Sequence, residues 1–473
     1  MFVFYDIETS GIDIVFDQIL QFGAILTDEN LVEVDRFEIR CQLLPWIVPS
    51  PKALLVTATP VQRLEDGSLP DFYTMMQRIG ERLNVWGAAT FVGYNSMRFD
   101  EPFLQRAFWQ ALLPPYLTVT GGNARFDLLP IIRATAHFRP GLLSIPSNKN
   151  GKPSFRLDAL APANGFNTHR AHDAMGDVEA TLFLARKIAR GFPELWRPLS
   201  TRASKAGTAA VLAADAPVFL FRHGGNPSIA CYRRIDNERG SYAVLARLDY
   251  DWASAQSKIE AFTSDEFAIL RSALRRVALN KAPVLLTLRE VEEIAGVTPV
   301  AAELAQADLL SRDRDYGASL AELIAPLVWS KPAADVQVEE MIFDGFANAS
   351  DVRLMAEFQR ATPSEQLTIA RTFSDPRFRR LAMRILYVRT RTLLGVGELE
   401  QIRLGIQRRL NGDEGVGHRW RSISDAIAEL IATPEPPTSE EAEITAWLAN
   451  QRMLSECTNG SLSLWSRPEP PGP

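Results

Sequence analysis

The stretch FVFYDIETSG, residues 2–11, decides the fold of the N-terminal region. Its first four residues are an apolar, aromatic-rich run typical of a buried β-strand. Because side chains alternate between the two faces of a strand, Asp6 and Glu8 project from one face and Ile7 from the other. Two carboxylates this close repel each other unless a cation lies between them, and Mg²⁺ prefers carboxylate oxygens. The alternative is an exposed strand end that carries two solvated acids.

Further strand and helix patterns follow within the first two hundred residues. Apolar, β-branched stretches predict two more strands at QILQFGAILTD and LVEVDRFEIRC, and AATFVGYN predicts a fourth at 88–95. Apolar residues at helical spacing predict helices near 70–84, 101–112, 127–136 and 172–190. Strands in succession followed by helix–strand–helix alternation predict a mixed sheet with helices on its faces.

The rest of the chain divides into a β-rich part and a helical part. Strand-like pieces dominate from about 217 to 300, and helical patterns continue to roughly 432. The chain then ends in TPEPPTSEE, a short amphipathic piece and SRPEPPGP, whose prolines predict a loose tail. We therefore expect an α/β multidomain protein of 473 residues, divided into 1–198, 199–345, 346–432 and a tail over 433–473.

Composition excludes several classes of protein. The chain is 46% hydrophobic and 23% charged, as in soluble globular proteins, and no apolar run approaches the roughly 18 residues of a membrane span. The N-terminus lacks the basic segment of a secretory signal, which predicts a cytoplasmic protein. Cys41, Cys231 and Cys457 are too far apart to predict a disulfide framework or a zinc ribbon. A net charge of −6 argues against a wholly basic nucleic-acid coat protein.

Two further acidic segments carry candidate site residues. Asp100 follows the strand at 88–95 in FVGYNSMRFDE, where a helix is predicted to begin, and it could equally be a helix N-cap without chemistry. His172 and Asp177 lie at the start of the helix predicted over 172–190, in THRAHDAMGDVEAT. A histidine can take a proton from water near neutral pH. The alternative is a capped helix with incidental polar residues.

Together these residues form a set with a known chemistry. Four carboxylates and one histidine can hold two metal ions about 4 Å apart with a base beside the water-binding side. Such a site activates water and stabilises the leaving oxygen of an in-line displacement at phosphorus. Neither a Ser/His/Asp elbow, a Walker loop, a GxGxxG motif nor paired CxxC motifs occur in the sequence to compete with this interpretation.

The order DIET, YNSMRFD and HDAMGD, with a five-residue step from histidine to aspartate, resembles the three exonuclease motifs of the DEDDh superfamily. The stretches FYDIETSG, VGYNSMRFDE, ARFDLL, GKPSFRLDALAPANG and AHDAMGDVEAT are together similar to the bacterial exonuclease I family. The similarity continues in NKAPVLLTL (280–288) and EEMIFDGFANASDVRLM (339–355). It implies an RNase H-like nuclease domain, an SH3-like β domain and a helical C-terminal domain around one DNA groove.

The resemblance also implies roles for individual residues. Asp6, Glu8, Asp100 and Asp177 become ligands of two Mg²⁺ ions, for which Mn²⁺ would substitute, and His172 becomes the general base. Glu8 also falls among the residues that contact the substrate. Arg156 becomes a contact to the nucleotide being removed, because a guanidinium can grip phosphate oxygens bidentately. Tyr116, Arg125 and Arg133 fall in the segment that lines the strand, although Arg125 could instead form a salt bridge with Asp127.

A basic segment near the C-terminus is a further candidate for strand binding. One acid, Asp375, and several aromatic residues are interleaved with seven arginines in this segment. The arginines are at positions 371, 377, 379, 380, 384, 389 and 391. Single-strand binders combine such basic tracks with stacking aromatics, and we expect Arg389 and Arg391 to contact the strand. The alternative is a solvated helix face over core aromatics.

The predicted activity is Mg²⁺-dependent 3′→5′ hydrolysis of single-stranded DNA to 5′-mononucleotides. The family's setting is DNA repair and recombination, and its partner is the acidic tail of single-stranded-DNA-binding protein. We expect a monomer without membrane contacts. Two alternatives stay open, an RNA exonuclease of the same superfamily and a catalytically inactive nucleic-acid-binding scaffold.

Overall fold

The computed structural model describes residues 1–168, 172–214, 216–222, 227–236, 240–258, 263–324, 336–412, 418–432 and 437–456. They form two five-stranded sheets, the helices that pack around these sheets, and a set of C-terminal helices. The mixed α/β architecture with a helical C-terminal part agrees with the sequence prediction. Within the described part of the chain, no helix has the length and apolarity needed to cross a membrane.

The first sheet is mixed and has the strand order β3-β2-β1-β4-β5. The central strand β1 runs antiparallel to β2 and parallel to β4. β3 continues the antiparallel side and β5 continues the parallel side. The bounds are β1 Phe2–Thr9, β2 Ile19–Thr27, β3 Glu33–Arg40, β4 Thr90–Gly93 and β5 Ala124–Asp127.

Helices cover both faces of this sheet. The longest are α3 and α7, which confirm the helices predicted near 70–84 and 172–190. The four predicted strands are also present, as β1 to β4. The bounds are α1 Pro51–Val56, α2 Val61–Leu64, α3 Phe72–Trp86, α4 Asp100–Gln110, α5 Leu128–Phe138, α6 Leu157–Ala163, α7 Ala174–Gly191, α8 Pro193–Thr201 and α9 Lys205–Ala213.

The alternation predicted for β1 is present, and it separates two hydrophobic cores. Val3 and Tyr5 belong to a core that continues into α3, α4 and the C-terminal helices. Phe2 and Phe4 belong to a second core that continues into α5, α7 and the second sheet. Each face of the first sheet is therefore covered partly by another region of the chain. Asp6 and Glu8 share the face of Phe2 and Phe4, which is the face that α7 covers.

Gly23 allows α7 to lie unusually close to this face. It pairs with Asp6 across β1 and β2. A Cβ atom at position 23 would lie 2.9 Å from the backbone nitrogen of Met175 and 3.0 Å from the carbonyl carbon of Ala174. Both atoms belong to the rigid first turn of α7, so a side chain at position 23 would push the helix away from the sheet.

The second sheet is antiparallel throughout and has the order β10-β6-β7-β8-β9. Short helices pack around it and carry the chain toward the C-terminal region. The bounds are β6 Val218–Arg222, β7 Ser228–Arg234, β8 Tyr242–Arg247, α10 Trp252–Lys258, α11 Ser264–Ala273, β9 Leu274–Ala278, β10 Leu285–Thr287, α12 Leu288–Ala295, α13 Ala301–Arg312 and α14 Arg314–Glu322.

Six helices follow a 3₁₀ segment at Val338–Phe343. Their bounds are α15 Ala349–Phe358, α16 Pro363–Thr372, α17 Pro376–Thr390, α18 Val396–Asn411, α19 Ile423–Ile431 and α20 Ser439–Glu456.

The structure differs from the predicted loose tail at α20. This helix packs against α1, α18 and α19 and buries Ile444 and Leu448 completely or nearly so. Flanking prolines at 434, 436 and 437 suggested a tail, but two apolar residues four positions apart are enough to dock a helix on an existing core. The rest of the predicted tail, from residue 457, lies outside the described residues. The predicted boundary at 198 falls within α8, and the boundaries at 345 and 432 stay predictions.

Candidate active site

The candidate site lies where β1 ends, on the face of the sheet covered by α7. Asp6 and Glu8 are half-buried on β1, and Asp100 is buried at the first position of α4. The backbone N–H of Ile7 donates a hydrogen bond to the Asp100 carboxylate. Asp100 therefore contacts β1 at Ile7, between Asp6 and Glu8. The N-cap of α4 is Phe99, so Asp100 does not have the N-cap role considered above.

The loop before Asp100 is held by a tight turn and a buried acid. Asn95 has a left-handed φ of 61°, a conformation that asparagine tolerates better than most residues. Its backbone N–H donates to Asp127 over 2.8 Å, and the N–H of Met97 donates to the same carboxylate over 3.4 Å. Gly93 lets Ser96 fold back, since a Cβ at 93 would lie 2.4 Å from the Ser96 Cβ. These contacts fix the position from which α4 starts.

His172 and Asp177 reach the site from the start of α7. Asp173 is the N-cap of α7, and Asp177 lies in its first turn. His172, immediately before the cap, has a φ of 62°. Ligand atoms of Glu8, His172 and Asp177 all lie within 4.8 Å of one another. The structure thus brings together residues that are more than 160 positions apart in the sequence.

Two residues that sequence reasoning missed hold the start of α7 in place. Gln21 on β2 donates to Asp173 over 3.1 Å, and Arg40 on β3 forms an ion pair with Asp173 at 2.5 Å. Glu8 pairs with Gln21, and Gln21 pairs with Arg40, so the three form one row across the sheet. The row depends on strand register, which a single sequence does not reveal. Gln21 and Arg40 are therefore positioning residues for the segment that carries His172.

Burial, together with repulsion from neighbouring acids, raises the pKa values of the acids at the site. Burial, followed by repulsion from Asp177 and Asp100, raises the pKa of Glu8 to about 8, and Arg40 opposes this shift. Burial raises the pKa of Asp100 to about 8, with repulsion from Asp127 and Glu101 adding to it. The pKa of Asp6 is raised well above its ordinary range by burial and by repulsion from Asp100, Asp177 and Glu8. A cluster of buried acids with raised pKa values is typical of a functional site.

The donor set fits divalent metal ions. Carboxylate oxygens and one imidazole are the ligand types that hard and borderline divalent cations take. The repulsion that raises the pKa values is the repulsion that a cation would relieve. Asp6, Glu8, Asp100 and Asp177 are the residues that would hold such ions.

Arg156 and Arg133 lie beside the same site. Arg156 is 72% exposed at its side chain and pairs with Asp158 at 2.6 Å. The pKa of Asp158 is lowered, mainly by the hydrogen bond from Arg156 and in smaller part by the nearby His172. Arg133 stacks over the Phe155 ring at 5.3 Å, next to Arg156 in the chain. Both arginines therefore contact residues 155–158, and Asp158 of this segment is close to His172.

Arg125 serves a buried network rather than the salt bridge with Asp127 considered above. It pairs with Glu101 at 2.9 Å, and Glu101 also accepts hydrogen bonds from Tyr5 over 2.6 Å and from Thr118 over 2.8 Å. Arg125 also donates a hydrogen bond over 3.2 Å to the carbonyl of Asn280, which lies between β9 and β10 of the second sheet. Glu101 follows Asp100, so this network supports the start of α4.

The basic segment over 371–391 is largely engaged in contacts within the protein. Arg389 donates to Thr74 over 2.9 Å and to Gln77 over 2.7 Å on α3, and lies 3.4 Å from Asp71. These contacts support a role for Arg389 in docking α17 on α3. Arg391 is half-buried in the 3₁₀ turn Arg391–Leu393. Contact of Arg389 and Arg391 with a nucleic-acid strand stays a prediction.

Two family models match the chain. One, described as an exonuclease domain, matches residues 3–184 and so includes every candidate metal ligand and His172. The other, described as the exonuclease I C-terminal domain, matches residues 336–451 and so includes α15 to α19 and most of α20.

Curated relatives of the chain include exodeoxyribonuclease I from several bacteria. The chain is 34% identical to exodeoxyribonuclease I of Escherichia coli over 207 residues, which cover 43% of each chain. It is 26% identical to exodeoxyribonuclease I of Haemophilus influenzae over 399 residues, which cover 78% of this chain and 81% of the relative. The first alignment thus spans less than half of that relative's length, and the second most of it.

Solved structures share the fold over nearly the whole chain. An exonuclease I from Methylocaldum szegediense has a TM-score of 0.78 at 24% identity and covers 96% of this chain and 99% of its own. Escherichia coli exonuclease I, in complex with a dA16 oligonucleotide, has a TM-score of 0.78 at 22% identity and the same coverage. The chain therefore has the exonuclease I fold, as expected from the motifs, including its RNase H-like nuclease domain.

We predict that Glu8→Gln stabilises the metal-free protein at pH 8. The pKa of Glu8 is raised from its ordinary 4.5 to about 8, so wild-type stability falls as the pH rises between these values. Glutamine removes the ionisation, and the gain should be at least about 1.4 kcal/mol, the equivalent of one pKa unit.

Urea unfolding in EDTA at pH 5 and pH 8 measures this effect, with Glu81→Gln on the exposed face of α3 as the matched control. A Glu8→Gln variant that gains no stability between the two pH values relative to wild type would show that the acids at the site do not repel one another.

Proposed function

The chain belongs to the exonuclease I family, and from that premise we propose that it hydrolyses single-stranded DNA from the 3′ end. The products are 5′-mononucleotides, and the reaction depends on two Mg²⁺ ions, which Mn²⁺ can replace. The observation that carries the proposal is the convergence of Glu8, His172 and Asp177 beside Asp6 and Asp100 within the matched exonuclease domain.

The metal ligands in this proposal are Asp6, Glu8, Asp100 and Asp177. When bound, the ions lower the pKa of water and stabilise charge on the phosphoryl oxygens of an in-line displacement. The protein's own part is to fix the four carboxylates, and the close approach of α7 at Gly23 brings Asp177 to β1. Arg156, exposed beside Asp158, is placed to hold a phosphate oxygen of the terminal nucleotide.

His172 is the proposed general base. Its ring lies within 4.8 Å of Glu8 and Asp177 ligand atoms, so it is next to the position where metal ions would be held. Asp173, fixed by Gln21 and Arg40, anchors His172, the residue that precedes it. A neutral imidazole here can accept the proton that attacking water loses.

An RNA exonuclease is the alternative within the same superfamily, because selectivity for deoxyribose depends on packing around the 2′ position. Matched DNA and RNA oligonucleotides separate these two activities. An inactive nucleic-acid-binding scaffold is the alternative from another class, and the complete set of acids with His172 argues against it. A role in DNA repair and cytoplasmic localisation belong to the proposal by family membership alone.

The acidic tail of single-stranded-DNA-binding protein is the proposed protein partner. A cavity of about 540 Å³ between Trp46, α17 and α18 has a strongly basic lining that includes Arg379, Arg380 and Arg408. Charge complementarity makes this cavity a candidate for an acidic peptide.

We expect Arg380→Glu to weaken binding of a labelled acidic peptide in fluorescence anisotropy. Arg353→Glu on the exposed face of α15 is the control. Equal binding by both variants and the wild type would exclude the cavity as the docking site.

The activity itself is tested with single strands labelled at either end. A 3′ label should be released at once as a mononucleotide, and a 5′ label should pass through a descending ladder, in Mg²⁺ but not in EDTA. Asp6→Ala or Asp177→Ala should retain less than about a tenth of the rate, because losing a positioned metal costs several kcal/mol. Asp265→Ala, exposed on α11, is the control. Release of the 5′ label first would contradict the proposed polarity.

His172→Ala should lower the chemical step by about 10²–10⁴-fold, the range of a lost general base. Wild-type single-turnover rates should fall as the pH is lowered, because only the neutral form of an imidazole can act as a base. The variant should lack this fall, while its apparent Mg²⁺ affinity changes little. An acid limb that persists in His172→Ala would contradict the role of His172 as the base.

A further inference from the structure

We propose that Arg421 is a positioning residue for the metal-binding end of β1, although it lies more than 400 positions from that strand in the sequence. It acts through residues 10–18, which join β1 to β2 and which we call the β1–β2 loop. The inference rests on the proposed function, because it concerns carboxylates that would hold metal ions. It gives the C-terminal region a part in shaping the site on the first sheet.

The buried carboxylate of Asp17 holds the β1–β2 loop together. Its side chain is 3% exposed. One carboxylate oxygen accepts a hydrogen bond from the Ser10 hydroxyl over 2.9 Å, and the other accepts from the backbone N–H of Asp13 over 2.9 Å. The Ser10 hydroxyl in turn accepts from the N–H of Gln18 over 2.9 Å. A Cβ atom at position 11 would lie 2.3 Å from the Asp17 carboxylate, so Gly11 lets the chain pass close to it.

Arg421 supplies the positive charge that this buried carboxylate needs. Its Nη1 atom donates to Asp17 over 2.9 Å and to the carbonyl of Val48 over 3.3 Å. Burial raises the pKa of Asp17, and the charge of Arg421 is the largest influence that opposes this shift. Without that charge the carboxyl group would be driven toward its protonated form, which is a weaker acceptor for the hydrogen bonds of the loop.

Aromatic packing fixes the backbone that carries Arg421. The ring of Trp420, the preceding residue, lies 6.1 Å from the ring of Phe16 in the β1–β2 loop, edge to face at 69°. The guanidinium of Arg409 on α18 lies 4.9 Å from the centre of the Phe16 ring and 4.7 Å from that of Trp420. Cation–π contacts of this kind are attractive. The C-terminal region therefore holds the loop through both an ion pair and packed rings.

The loop in turn positions the end of β1 that carries Glu8. The pairing of β1 with β2 shifts register between Glu8 and Thr9, and such a shift locally disrupts the ladder. Contacts beyond the shift are therefore needed to fix the strand end. Ser10 supplies them, since its N–H donates to the carbonyl of Gln18 over 2.8 Å and its hydroxyl donates to Asp17. Two residues of chain span at most about 7 Å, so movement of Ser10 would move the Glu8 carboxylate relative to the acids on α4 and α7.

An ion pair that only docks two regions of the chain predicts a different result, and the protein offers one for comparison. Arg202, which follows α8, pairs with Glu290 on α12 at 2.8 Å. Its side chain is 17% exposed, against 20% for Arg421. Neither α8 nor α12 carries a candidate metal ligand. Arg202→Met is therefore the matched control for Arg421→Met.

Calorimetric titration with Mg²⁺, in the absence of nucleic acid, measures the effect apart from hydrolysis. Arg421→Met should weaken the apparent Mg²⁺ affinity by about 10-fold or more, as loss of an outer contact to a metal site does. Ser10→Ala breaks the same path within the loop and should weaken the affinity by about 5-fold, the effect of one lost hydrogen bond. Arg421→Lys should retain most of the affinity, because a single nitrogen, Nη1, makes both contacts. Arg202→Met should bind Mg²⁺ as the wild type does.

A double-mutant cycle with Asp17→Asn tests the route from Arg421 to the site. If Arg421 acts through Asp17, the double variant should bind Mg²⁺ no more weakly than Arg421→Met, and fully additive losses would contradict this route. An Arg421→Met protein that is folded by thermal melting and binds Mg²⁺ within twofold of wild type would overturn the inference. If that variant does not fold, Ser10→Ala, which leaves the ion pair in place, decides the question in the same way. Failure of the proposed function would appear separately, as wild-type protein that binds Mg²⁺ but releases no mononucleotide from a single strand.

Discussion

Mutual repulsion among buried carboxylates at the end of β1 is the constraint on which the site depends. Glu8 and Asp100 have pKa values raised to about 8, and Asp6 is raised as well. A fold gains nothing from burying acids in this way, since burial of a charge without a partner is costly. The arrangement is intelligible when cations bind there, because they convert the repulsion into attraction. The repulsion that destabilises the metal-free site is therefore expected to favour the binding of metal ions.

Maintaining this arrangement requires contacts from several elements. Gly23 admits α7 to the sheet, and Gln21 with Arg40 fixes Asp173 at the N-terminus of that helix. Asp127 fixes the loop that leads to Asp100, and Glu101 ties the start of α4 to Tyr5 and Arg125. None of these residues is a proposed metal ligand. They act by holding the candidate ligands against a repulsion that would otherwise separate them.

Much of this could be predicted from the sequence, and the parts that could not have physical reasons. Strand alternation placed Asp6 and Glu8 on one face, and motif order identified Asp100, His172 and Asp177. The row from Glu8 through Gln21 to Arg40 depends on strand register, and no local pattern specifies register. Arg389 is engaged by α3 and Arg125 by Glu101, and both contacts are tertiary. The sequence does not show such contacts, so these arginines look more available for a nucleic-acid strand in the sequence than they are in the structure. A short amphipathic piece was expected at α20, but its docking was not, because the flanking prolines suggested a loose tail and not a helix with two buried apolar residues.

The central claim is that repelling acids are held in place for divalent cations. Calorimetric titration of the metal-free protein with Mg²⁺ at pH 7, in two buffers of different ionisation enthalpy, counts the protons released on binding. Because Glu8 and Asp100 have pKa values of about 8 before metal binds, at least one proton should leave as the ions bind, and apparent affinity should rise toward pH 8. Binding without proton release, or no binding at millimolar Mg²⁺, would contradict the account.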